Sequence, residues 1–381
     1  LFLGLALAGL LAGCGPSGAP RIIQRFRIGL GACGMSLDAS GARLAVVCRR
    51  SNDVWVLGLP SGALEERIDT LPKPRAVFFH PEDESFYVAE GLSSVAQVRL
   101  SDRRVARSFR PPWRVGDFAY EAGTRRLFCG HVGLPTLGVY RLKDMHLETT
   151  EAVGGEVESV AFEGRNAWVV TRDADALVRI SLKDMGVKAA ALAGPEPRGL
   201  ALDAPGGLAY IACHGRAGEA AALSVPTPAP TEEVLSPISP SASELGAGGE
   251  EDESGTAADQ EDASDDAEGE AIPAADAAAF HRYDGSGVAV ARLDEVRRVD
   301  YIAVPGGPVA ALLSPSRTVL ALACEDGTLR LLDLASRRVV ASLDLGGRPG
   351  AMAADPDGKS LLIALSSDKV VEQIRPGEFW R

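Results

Sequence analysis

The chain has no Gly-x-Ser-x-Gly elbow, no His-Glu-x-x-His, no Cys-x-x-Cys pair and no glycine-rich phosphate loop ahead of a helix. Their absence removes the sequence signatures of the common hydrolase, zinc-protease, thiol-redox and nucleotide chemistries. Beyond the first 13 residues, no stretch is long and apolar enough to span a bilayer as a helix, which takes ~20 residues. Excess positive charge is missing too, since Lys and Arg number 39 against 52 Asp and Glu, a net charge of -13. That average hides a local feature. Residues 217–286 hold 17 acids and a single base, Arg282, and the rest of the chain sums to +3. A body so nearly neutral argues against nucleic-acid binding.

What the chain does have is a repeated phrase, an apolar-small-apolar run that ends at a turn residue and is followed by a second apolar run. It reads MSLD ending at Asp38, VFFH at His80, FAYE at Glu121, VAFE at Glu163, LALD at Asp203, ALLS at Ser314 and MAAD at Asp355. Successive spacings are 42, 41, 42, 40, 111 and 41 residues, so the irregular interval is one period plus the 70-residue acidic insertion. Without that insertion and the first 19 residues, about 292 remain, or about 42 in each of seven units, which is a four-stranded propeller blade. Alternating polarity and Pro/Asp/Gly turns mark the strands as antiparallel. The expected fold is therefore all-β: a seven-bladed β-propeller over residues 21–381. The seventh unit stops after VVEQI without a fourth strand, and RIIQRFRI, from Arg21 to Ile28, supplies one. Closure by this N-terminal strand removes the sheet edges that invite aggregation.

Residues 1–13 form an uncharged apolar run, the length of a secretory signal core. Leu11-Ala12-Gly13-Cys14 resembles the bacterial lipobox, in which Cys14 would carry the lipid. No Met or basic stretch precedes Leu1, so the signal looks truncated at its start. Residues 14–20 read as a lipidated tether, and Gly15 after the cysteine favours the outer membrane by that resemblance. The expected protein is exported and anchored to the bacterial envelope through Cys14. The 217–286 insertion, within the fifth blade, is rich in Pro, Ala, Ser, Gly and acids, and is expected to be disordered. It reads either as a solubilising loop or as a docking arm for a basic partner or divalent cations.

GLALDAPGGLAYIAC (Gly199 to Cys213) and MAADPDGKSLLIAL (Met352 to Leu365) resemble repeats of the bacterial YVTN-type propellers, the YncE-like group. The tyrosine-valine-threonine-asparagine signature itself is absent. The resemblance implies seven blades and often an envelope location, without a fixed activity. Propellers host both enzymes and binding proteins, so function has to come from a site.

Hairpin register gives the candidate residues. Asp38 facing Arg43 places Cys33 opposite Cys48, close enough for a disulfide in an oxidising compartment. The same offset sets Arg75 opposite Glu90, Gly116 opposite His131 and Arg198 opposite Cys213. Arg75, Glu90, His131, Arg198 and His214 are then expected to ring the channel mouth, where guanidinium forks suit an anion or a peptide carboxylate. Arg75 and Glu90 are alternatively a private ion pair. No catalytic residue, metal or cofactor is assigned, although His131 and His214 would be the ligands if a haem occupied the channel. The expectation is a monomeric, non-catalytic module that binds an envelope protein or peptide. The alternative is an envelope hydrolase or lactonase-like enzyme with its site in the channel. Three or more polar side chains converging in the pore would favour that alternative.

Overall fold

The computed structural model describes residues 18–215 and 285–380, apart from Asp83, Leu92, Ser93 and Pro356. The signal core, Cys14 and nearly all of the acidic insertion lie outside the described residues. Seven four-stranded antiparallel sheets are present, and each innermost strand touches the next, the last touching the first. The innermost strands are Ala32–Leu37, Ala76–Phe79, Val115–Glu121, Val157–Glu163, Pro197–Asp203, Pro308–Leu313 and Pro349–Ala354, in blades 1 to 7. This is the seven-bladed β-propeller expected from the repeat.

Burial runs as a gradient from axis to rim. The second strand of each blade is almost wholly enclosed, as in Arg43–Cys48, whereas an outer strand such as Arg104–Phe109 is largely exposed. Neighbouring blades interlock through apolar side chains: Val47, Val54 and Val56 of blade 1 meet Val77, Phe86 and Val88 of blade 2. Near the axis the packing tolerates little volume. A Cβ on Gly34 would lie 3.0 Å from the Arg75 carbonyl oxygen, and one on Gly199 would lie 2.9 Å from the Ala310 Cα. Both are backbone contacts that cannot rotate away, which explains why small residues recur there.

The seventh blade is completed by the N-terminal strand, as expected. Arg21–Arg27 pairs antiparallel with Val370–Arg375. Phe26 is buried among Leu362, Ala364 and Val371 of its own blade and Leu44, Val46 and Leu57 of blade 1. The two chain ends are also tied at the Glu378 amide, which donates to the Gly18 carbonyl, while Trp380 Nε1 donates to the Gly358 carbonyl at 2.9 Å. Removing the Phe26 ring should destabilise the whole ring by about 3–5 kcal/mol, the usual cost of emptying a buried aromatic site. Urea unfolding of Phe26→Ala checks this, and a loss under about 1 kcal/mol would mean the closure contributes little.

Candidate functional site

One irregularity shapes the channel mouth. In six blades the pairing of the first two strands slips by one residue near the mouth, between Ala32 and Gly34, Val115 and Asp117, Val157 and Ser159, Pro197 and Gly199, Pro308 and Ala310, and Pro349 and Ala351. In blade 2 the amide of Arg75 donates to the Ala89 carbonyl while Ala76 is the pairing partner of Ala89, so Arg75 holds the same place. The extra residues of these bulges are Cys33, Arg75, Gly116, Glu158, Arg198, Val309 and Gly350.

The slip corrects the expected pairings. Cys48 pairs with Ala32, His131 with Val115 and Cys213 with Pro197. Cys33 and Cys48 are free thiols, not a disulfide, because the bulge takes Cys33 out of the pair. Burial pushes the Cys33 thiol up to about 11 and that of Cys48 up to about 12, so neither has thiolate character at neutral pH. Glu90 and His131 are buried inside their blades and do not reach the mouth. The Glu90 carboxylate accepts from the Leu71 amide at 2.9 Å and from Ser94 Oγ at 2.6 Å, and makes no pair with Arg75. His131 sits with Nδ1 2.9 Å from Thr136 Oγ1, Nε2 3.1 Å from Tyr140 Oη, and the Trp113 ring 4.9 Å away. Burial lowers its imidazole to about 4, so it is neutral and structural.

Arg75, Arg198 and His214 do lie at the mouth, together with residues the hairpin offset missed. With the slip, the side chains facing the bulge are those just after the second strand: Arg49, Arg172, His214 and Glu325 among them. A third contribution comes two residues before the bulge, from Lys73, Arg114, Glu156, Glu196 and Arg348. Backbone hydrogen bonds from the amides of Val132, Arg172 and His214 to the carbonyls of Arg114, Glu156 and Glu196 tie these last two positions together.

Charge is divided unevenly around this rim. On blades 4 to 7 the groups neutralise one another in a chain. Arg172 Nη1 donates to Glu158 Oε1 at 2.7 Å and also pairs with Glu156. Arg198 reaches the same Glu158 at 3.5 Å, and His214 Nδ1 is 3.1 Å from Glu196 Oε2. His214 and Arg348 both contact Glu325. Burial raises the Glu158 carboxyl, against the opposing pull of Arg198 and Arg172. Beside this chain is a cavity of about 290 Å³, lined by Arg198, Glu158, Glu325 and Arg348 over the inner strands of blades 6 and 7.

Blades 1 to 3 present Arg49, Lys73, Arg75 and Arg114 at these three positions, and no acid. The Nε atoms of Arg75 and Arg114 are buried without a hydrogen-bond partner. Among the described residues, the side chains of Arg49, Arg75 and Arg114 have no ion pair. Burial first, and then repulsion from Arg49 and Arg114, holds Arg75 below the ordinary arginine range, with Glu156 opposing. Like charges held together and left unsatisfied leave this half of the rim ready for an anion.

One step down the channel lies Asp117. The equivalent residues are Gly34, Ala76, Ser159, Gly199, Ala310 and Ala351, so this carboxylate interrupts a ring of small groups. Its surface is exposed, yet protein surrounds it on every side, which is the situation of a side chain that faces the lumen. It acts electrostatically on Cys33 of blade 1 and Glu158 of blade 4, so it reaches into the space between non-adjacent blades. Burial raises its pKa to about 6, only partly offset by the Phe118 amide. The small-residue pattern was the signal that would have found it.

A larger cavity, about 780 Å³, lies in the cleft between blades 2 and 3. Its volume does not make it the site. Most of its arginines are already paired, Arg126 with Glu148 at 2.6 Å and Arg141 with Asp144 at 2.7 Å. Among the described residues, no three His, Cys, Asp or Glu side chains come together in a way that would hold a metal ion. No protein-family model matches the chain, and no curated protein matches it.

Because the Asp117 carboxyl has a higher pKa folded than unfolded, the fold binds its proton more readily, and its ionisation works against stability as pH rises from about 4 to above 6. The ionisable groups that feel its charge are Cys33, Cys129 and Glu158, none of them a cation. Asp117→Asn should therefore melt higher than the parent at pH 7.5, with the gap closing as pH falls towards 4. A gap that does not change with pH would show that Asp117 is not held in this environment.

Proposed function

We propose that this chain is a lipid-anchored, non-catalytic binding module of the bacterial envelope, and that it holds an anionic group of a protein or peptide partner at the mouth of its channel. The observation that carries the reading is the set of unpaired guanidiniums on blades 1 to 3, Arg75 and Arg114 with buried, unpartnered Nε atoms and Arg49 beside them. Guanidinium forks match carboxylate geometry, and a partner's carboxylate would supply the counter-charge that blades 1 to 3 do not. The address rests on the lipobox-like Leu11-Ala12-Gly13-Cys14 and on the resemblance to the YVTN-type group. Outer-membrane attachment and a monomeric state belong to the same proposal.

The test uses an envelope extract passed over immobilised parent and over Arg75→Ala/Arg114→Ala protein of equal melting temperature. The parent should retain a partner that succinate elutes at constant ionic strength, and the double variant should retain little of it. Equal retention by both proteins would overturn the reading.

One observation favours a second reading, an envelope hydrolase or lactonase-like enzyme. Polar side chains do converge at the mouth, and a carboxyl with a pKa of about 6 one level below them has the part of a general base. Turnover of esters or lactones by the parent and its loss in Asp117→Asn would support it, and equal hydrolysis by both proteins would dismiss it.

A further inference from the structure

Asp117 is left without a counter-charge. Among the described residues it has no ion pair, and its carboxylate accepts from the adjacent Phe118 amide at 2.8 Å through one oxygen. Every equivalent inner-strand position is Gly, Ala or Ser, so packing alone would place a small residue here. Its carboxylate is exposed and has no ion pair among the described residues, so a cation can reach it without displacing a protein contact.

Arg75 stands on the neighbouring blade, whose innermost strand touches that of Asp117. Residues along a strand rise ~3.3 Å each, so Asp117 is one such step from the bulge level that carries Arg75. The Cys33 thiol is within electrostatic reach of Arg49, Arg75 and Asp117 together, and its Sγ lies 3.4 Å from the Arg75 carbonyl oxygen. Groups of both signs thus stand at neighbouring levels of adjacent blades with no ion pair between them. A single ligand with both signs of charge satisfies both.

We infer that the ligand of this mouth carries an ammonium group as well as a carboxylate, the carboxylate held by Arg75 and Arg114 and the ammonium by Asp117 below them. The inference rests on the anion-binding reading above and adds the second contact. Both a free amino acid and a chain end such as a C-terminal lysine have this chemistry. An ammonium at Asp117 supplies the missing cation.

Calorimetric titration at pH 7.5 tests it, with 4-aminobutyrate and 6-aminohexanoate against butyrate and hexanoate, and with the peptide N-acetyl-Gly-Gly-Lys against N-acetyl-Gly-Gly-norleucine. The parent should bind at least one amino-bearing ligand roughly tenfold tighter than its amino-free match, as expected for a charge-assisted hydrogen bond. Asp117→Asn should bind each matched pair alike while keeping affinity for the carboxylate, and Arg75→Ala should weaken both members. Preference confined to the short acids would identify a free amino acid, and preference confined to the peptide a chain end. Equal affinity of the parent for the members of every pair would overturn this inference and leave the anion reading standing. Absence of binding to all six probes would count against both.

Discussion

Near the axis, seven backbones approach so closely that a single methyl group decides whether blades can meet. The 2.9 Å between a hypothetical Cβ on Gly199 and the Ala310 Cα is the clearest instance. That limit sets the small residues of the inner strands, and it leaves little room for functional groups there. Larger polar side chains are displaced to the mouth, where the blades diverge. Asp117 is the exception within the ring, and it fits because its side chain turns into the lumen.

The bulges decide which residues reach that mouth. Each adds one residue to an inner strand, so the side chains that meet at the rim come from the bulge, from two residues before it and from just beyond the second strand. Read in these three positions, the sequence divides the rim in two. Glu156, Glu158, Glu196 and Glu325 have Arg172, Arg198, Arg348 and the His214 ring as partners, while Arg49, Lys73, Arg75 and Arg114 have no acid among them. The asymmetry is a property of the repeat read in the right register, and it separates a neutralised half from a receptive one.

The blade count, the closing strand and the small inner face were all legible in the sequence, because period and alternation are local signals that each unit repeats. Arg75, Arg198 and His214 were legible as mouth residues for the same reason. Glu90, His131 and the Cys33–Cys48 pair were misplaced because the hairpin offset was carried unbroken to the strand end. A bulge is a backbone event that leaves no distinctive residue behind: the bulged position holds Cys, Arg, Gly, Glu, Arg, Val and Gly in turn. Asp117 was legible but unread, an acid at a place where every other unit has a small residue.

The claim on which the site depends is the one-residue slip at the head of the inner strands, and the thiols of blade 1 report on it directly. Without the slip, Cys33 and Cys48 face each other. With it, Cys48 pairs with Ala32. The decisive measurement exposes folded protein to a thiol oxidant, then unfolds it, labels it with a maleimide and maps its peptides by mass. Cys33 and Cys48 should each carry the label. A disulfide-linked peptide joining them would contradict the slip, and with it the arrangement of the mouth.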